Sequence, residues 1–142
     1  MTTVKQVLDQ KGRNVWTLPP DASVYDALAK MAEKNVGALV ITEGERMVGI
    51  ITEREYARNI ALKGRTSPTT RVTEIMESKV LYVRPEDSVE ACMALMTAKY
   101  IRHLPVLVDG KLAGIVSIGD LVRTVIADQK FVIEQLARYI QG

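Results

Sequence analysis

Two runs in this chain place a hydroxyl and a carboxylate three residues apart, each run led by a glycine and two apolar residues. They are Gly49-Ile50-Ile51-Thr52-Glu53-Arg54-Glu55 and Gly114-Ile115-Val116-Ser117-Ile118-Gly119-Asp120. The spacing suits two jobs. Thr-x-x-Glu is a capping box, in which the hydroxyl and the carboxylate each satisfy a free backbone N–H at a helix start. The same carboxylate, projecting from a first helical turn, can accept two hydrogen bonds from the vicinal hydroxyls of a ribose. The hydroxyl and the remaining N–H groups, at the positive end of the helix dipole, then suit a phosphate. The glycine lets a ligand approach the backbone. One such run is explained by capping alone; two at matching positions keep the ligand reading open beside it.

A second cluster is Tyr100-Ile101-Arg102-His103-Leu104-Pro105-Val106, which holds the chain's only histidine beside an arginine at the start of an apolar run. A lone histidine there reads as structural, but next to Arg102 a phosphate contact is the better expectation. Arg54, inside the Thr52–Glu55 turn, is the other arginine expected to meet a phosphate. Arg58, Lys63, Arg65, Arg71 and Arg123 read as solvated. Covalent catalysis finds little support. The single cysteine, Cys92, falls on an apolar helical stripe, and no nucleophile–base pair is evident. No Gly-x-x-x-x-Gly-Lys-Ser/Thr loop exists. One cysteine also allows neither an internal disulfide nor a cysteine-rich metal site. The expectation is a binding protein without a metal rather than an enzyme.

These candidates sit on a duplicated frame. Residues 15 to 60 align without a gap with residues 80 to 125, an offset of 88 − 23 = 65 taken from Ser23 and Ser88, and 11 of the 46 pairs are identical. Each copy reads strand, helix, strand, strand, helix. Ser23 caps a helix whose stripe is Val24, Ala27, Leu28 and Met31; Ser88 does the same for Val89, Cys92, Met93 and Met96. Ala38 to Ile41 and Met47 to Ile51 are apolar strands around Glu43-Gly44-Glu45. Leu104 to Val108 and Leu112 to Val116 flank Asp109-Gly110, a hairpin signal. Val4 to Leu8 and Val72 to Met76 read as helical lead-ins, and Leu62 to Thr70 as a surface linker. The boundary therefore falls between residues 1–71, the first unit with its lead-in and linker, and 72–142, the second with its C-terminal helix. Leu121 to Gln141 is one long helix or two with a bend near Asp128. Its stripe of Val132, Leu136, Tyr139 and Ile140 either seals the module's own core or faces a second subunit.

At 142 residues and 47% hydrophobic, the chain can bury one fused core. Two copies at this period do not make a solenoid. A net charge of +2 demands no nucleic acid, and no aromatic stripe accompanies the arginines. The N-terminus lacks a leader pattern and no run approaches a membrane span, so a soluble cytoplasmic protein is expected.

Taken together, the β-α-β-β-α order, the Gly-h-h-Thr/Ser-x-x-Asp endings (h apolar) and Arg102-His103-Leu104-Pro105-Val106 resemble the CBS-domain family, named for cystathionine β-synthase. The resemblance covers nearly the whole chain and includes Val72-Thr73-Glu74-Ile75-Met76. It implies an α+β fold in which two pseudo-twofold-related units form one disc-like module, with modules pairing as homodimers. It further implies clefts for AMP, ADP, ATP, NAD(H) or S-adenosylmethionine, and a regulatory role in which an unidentified protein effector reads ligand state. By motif, Ser117 and Asp120 match the family's phosphate-side hydroxyl and ribose-binding acid, and Thr52 matches the hydroxyl of the first unit. Glu55 departs from the usual Asp by one methylene. Arg102 and His103 match phosphate-contacting positions. Lys79-Val80 matches a segment lining the base pocket, and Arg13 to Val15 matches it in the first unit. A ligand-free scaffold for protein or nucleic acid is the alternative.

Overall fold

Residues 2–141, described by a computed structural model, run α1 (Val4–Lys11), β1 (Thr17–Leu18), α2 (Val24–Lys34), β2 (Ala38–Glu43), β3 (Arg46–Thr52), α3 (Glu53–Tyr56), α4 (Val89–Lys99), β4 (His103–Val108), β5 (Lys111–Ser117) and α5 (Ile118–Gln141). A π-helical turn, Ala57–Ala61, continues α3, and 3₁₀ turns at Ser67–Thr69 and Val72–Glu74 lead toward the second half.

The duplication extends to backbone detail. Ser23 Oγ accepts the Asp26 N–H and Ser88 Oγ accepts the Ala91 N–H, both at 3.0 Å, so α2 and α4 start alike. Both helices end on a left-handed residue, Asn35 (φ 54°) and Tyr100 (φ 55°). The antiparallel hairpins share one register, Ala38 opposite Thr52 and His103 opposite Ser117, and the register shifts between Ile41 and Thr42 and between Val106 and Leu107. Asp109 (φ 51°) and Gly110 (φ 78°) both take positive φ, as a tight two-residue hairpin turn requires.

One expected element shrinks. β1 pairs parallel with β2, but its counterpart in the second half is a single bridge between Val83 and Val106. The cause is Pro105. Val40 donates its N–H to Trp16 O at 3.2 Å; the equivalent residue is Pro105, which has no N–H to offer Leu81.

The lead-ins cross over. Val24, Ala27, Met31, Leu39, Ile41, Ile51 and Ile60 form the first core, and Val72 and Ile75 complete it. Val89, Cys92, Met96, Leu104, Val106, Val116 and Leu121 form the second, completed by Val4, Val7 and Leu8 of α1. Backbone bonds hold each exchange: Val72 N–H to Ala22 O at 2.9 Å, and Val4 N–H to Asp87 O at 2.8 Å. Burying each of these side chains is worth about 1.5–3 kcal/mol, so the halves are stapled together. β3 and β5 lie side by side where the halves meet.

The C-terminal segment is one continuous helix, α5. Leu121 and Thr124 are buried, whereas Phe131 (62% exposed), Ile133 (65%), Leu136 (57%) and Ile140 (81%) are not. The apolar stripe of the tail therefore does not seal this chain's own core. No helix among the described residues is long and apolar enough to cross a membrane.

Candidate functional site

Both strand-to-helix junctions form the expected cap. At the first, Thr52 Oγ1 accepts the Arg54 N–H at 3.2 Å, while the Glu55 carboxylate accepts the Thr52 N–H at 3.0 Å and the Thr52 hydroxyl. At the second, Asp120 Oδ2 accepts the Ser117 N–H at 2.8 Å and Ser117 Oγ accepts the Asp120 N–H at 3.2 Å. Capping is thus a property of both runs, and what separates them is everything else around the two carboxylates.

Beside the first junction lies an open cleft of about 890 Å³, within the range of small-molecule sites. One wall is Thr52, Glu53, Arg54, Glu55, Arg58 and Asn59 from β3, α3 and the turn that follows. The other wall is Lys79, Val80 and Leu81 together with Lys99, Tyr100, Ile101, Arg102 and His103 from the second half. Ile50, Ile75 and Met76 give it an apolar side. The crossed lead-in creates this geometry: Glu77 exchanges backbone hydrogen bonds with Ile50 (3.0 and 2.9 Å) and carries Lys79 past the cleft. Gly37 opens the inner end, where an added Cβ would stand 3.7 Å from the His103 ring and 3.5 Å from Glu53 Oε1. Arg54 ties the walls by donating from Nη1 to Tyr100 O at 2.7 Å.

The electrostatics favour an anion with hydroxyls. Arg54, Arg58, Lys79, Lys99 and Arg102 face the cleft, and none of them lies within 4.0 Å of a carboxylate among the described residues. Glu55 is half-buried and uses Oε2 for the cap, leaving Oε1 with no hydrogen bond among the described residues. Burial holds the His103 imidazole below its ordinary pKa against the pull of Asp120, Glu53 and Glu55, with Lys11 adding to the depression. It is neutral at pH 7, and a phosphate beside it would favour its proton.

The second junction is built otherwise. Asp120 is 8% exposed and is already taken. Lys11 Nζ donates to Oδ2 at 2.7 Å and also to Ile115 O at 2.8 Å, and Arg123 Nη2 donates to Oδ1 at 2.7 Å. Burial opposes its ionisation, but Lys11 and the Ser117 N–H outweigh that and hold its carboxyl below the usual range.

Thr52, Arg54, Glu55, Lys79, Val80, Arg102 and His103 thus come together, while Ser117, Asp120 and Val15 do not line this cleft. The matched acid Asp120 is parted from Arg102 because the open cleft sets the first half's acid, Glu55, against Lys79, Arg102 and His103 of the second half. The helix-dipole argument also shifts. α3 has four α-helical residues before the π-helical turn, too few aligned peptides for a strong dipole, so side-chain cations supply the positive field there. Lys11 escaped the sequence reading; its position in the last turn of a lead-in pointed to no partner. Among the described residues no cluster of three or more His, Cys, Asp or Glu is placed to hold a metal.

Comparison with known proteins agrees with this architecture. The CBS domain family matches residues 4–62 and 72–127. The CBS domain-containing protein CBSX3, mitochondrial, of Arabidopsis thaliana is 43% identical over 151 residues, covering 99% of this chain and 73% of that protein. A solved CBS-domain protein of Burkholderia ambifaria MC40-6, named for signal transduction, is 54% identical with a TM-score of 0.87, covering 90% of this chain and 96% of that one. A CBS domain protein from Pyrobaculum aerophilum, solved in complex with AMP, is 26% identical with a TM-score of 0.75, covering 84% and 89%. The chain belongs to the CBS-domain family and carries two copies of the domain in tandem.

Proposed function

We propose that this CBS-domain pair is a regulatory module that binds an adenine nucleotide, one of AMP, ADP, ATP or NAD(H), in the cleft between Glu55 and Arg102. The observation that carries the reading is a carboxylate with a free oxygen facing cations that have no carboxylate partners. Glu55 Oε1 receives the ribose hydroxyls, with Thr52 fixing the carboxylate's position. Arg102, Arg54 and Lys79 neutralise phosphate, and the His103 ring offers it an N–H. Val80, Ile50 and Met76 flank the base. The AMP complex of the Pyrobaculum aerophilum protein supports the ligand class. S-adenosylmethionine fits less well, since its sulfonium would meet cations. The role is regulatory rather than catalytic: Cys92 is buried away from the cleft, and burial pushes its thiol up to about 11.

Ligand state reaches partners through a homodimer formed on the exposed face of α5, where Val132, Ile133, Leu136 and Ile140 form an apolar surface. Light scattering on Ile133→Glu/Leu136→Glu should show a monomer where the wild type is a dimer; a wild-type monomer sinks the dimer.

Thermal-shift and calorimetric titration with AMP, ADP, ATP, NAD, NADH and S-adenosylmethionine tests the ligand. At 100 times Kd a bound nucleotide adds about 2.7 kcal/mol of stability. The shift should shrink by more than half in Arg102→Ala and Glu55→Ala. No shift with any nucleotide overturns the reading, and the preferred ligand separates energy sensing from redox sensing.

A further inference from the structure

The two halves treat one carbonyl differently. In the open cleft the Ile50 carbonyl accepts the Glu77 backbone N–H at 2.9 Å, and the adjacent acid, Glu55, is left to its own cap. Its counterpart Ile115 accepts the Lys11 ammonium at 2.8 Å, and that ammonium also holds Asp120 at 2.7 Å. The cause is local. The second lead-in ends its 3₁₀ turn at Glu74 and passes through a turn to the bridge at Glu77, whereas α1 continues to Lys11 and stops only at Gly12, whose φ of 99° ends the helix. That extra turn delivers a cation from the last turn of α1 to the start of α5.

The consequence is saturation. Asp120 Oδ2 accepts from Lys11 and the Ser117 N–H, Oδ1 accepts from Arg123, and the side chain is 8% exposed. Ribose hydroxyls find no free carboxylate oxygen here, whereas Glu55 keeps Oε1 free. The positions that supply Arg102 and His103 to the open cleft are Gly37 and Ala38 in the first half, so a nucleotide there would rest mainly on its ribose contact with Asp120. We infer that Lys11 is an internal occupant of the second acid site, and that it limits the chain to one adenosine ligand, bound at Glu55. Removing the ammonium leaves Asp120 with its cap and with Arg123, whose side chain is 73% exposed and can swing aside for the ribose of a second nucleotide. The stoichiometric half of this rests on the proposed nucleotide binding; the latch itself does not.

Two measurements on the full chain separate the parts. In calorimetric titration with AMP, wild type should bind one equivalent, Lys11→Met two, and Lys11→Met/Asp120→Asn one again. Two equivalents on the wild type, or one on Lys11→Met, overturns the role of Lys11 in stoichiometry. The second measurement uses no nucleotide. Mass spectrometry after brief acetylation should show the Lys11 amine reacting at least tenfold more slowly than Lys130, and Asp120→Asn should bring the two rates together. Equal rates in the wild type overturn the latch, whether or not Lys11→Met folds. A slow Lys11 with no AMP bound to any variant leaves the latch standing and rejects the nucleotide reading instead.

Discussion

Glu55 and Asp120 stand at equivalent places in two copies of one unit, cap equivalent helices and face opposite fates. Glu55 borders an open cleft with Oε1 free, whereas Asp120 is buried under two cations from α1 and α5. By motif the second matches the family's acid, yet the first has the free oxygen and the cations without carboxylate partners. The difference teaches that a binding group is defined by what already satisfies it: a carboxylate whose acceptor sites are filled within the chain contributes stability, and one with a spare oxygen contributes affinity.

The sharpest way to break this comparison is by binding. Arg102→Ala, which removes a charge-assisted phosphate contact, should cost about 2–3 kcal/mol, on the order of 30- to 150-fold in Kd. Asp120→Ala should change nucleotide affinity far less, and only through the loss of its pull on the His103 ring. Titration of both variants with the preferred nucleotide decides the matter, and reversed ranks would return Asp120 to the binding site.

The next contrast lies in the glycines behind each junction. A Cβ on Gly114 would stand 2.9 Å from both δ-carbons of Leu8, which is 1% exposed and locked in the second core, so Gly114→Ala should destabilise by about 1–3 kcal/mol in urea unfolding. A Cβ on Gly49 would overlap the thioether of Met76, which is half-buried at the cleft and can swing aside. Gly49→Ala should therefore cost less stability and should weaken nucleotide binding by narrowing the cleft. Equal stability losses would mean that the two junctions are equally rigid.

The smallest effect is a pH dependence at the second junction. The folded pKa of Asp120 is depressed, so its ionised form stabilises the fold above the unfolded value of about 3.9 and that stabilisation is lost as pH falls through the folded value. Urea midpoints between pH 5 and pH 3 should fall less steeply in Asp120→Asn than in wild type. Parallel slopes would show that Lys11 and Arg123 do not hold the carboxylate in solution.

Much of the scaffold was legible because it is written in local chemistry. Ser23 and Ser88 named their helices, Asp109-Gly110 named its turn, and the 65-residue offset predicted two like units, whose hairpins share one register. The weakened strand near Val83 was legible in principle, since Pro105 stands where Val40 donates an N–H, but only once the pairing partner was known. The candidate site was half legible. Thr52, Glu55, Arg102 and His103 declared themselves by type and spacing, yet their grouping did not.

The sequence by itself determined two copies of one α+β unit, their capped junctions and the residue types able to meet a nucleotide, because caps, turns and apolar periodicity act over a few residues. Only the tertiary structure decided that each lead-in completes the opposite core, that Glu55 rather than Asp120 shares a cleft with Arg102, and that Lys11 reaches Asp120 across 109 positions of chain. Pseudo-twofold symmetry makes either pairing of acid and cations compatible with the same repeat. The choice appears only when the halves are packed and the cleft draws its walls from both.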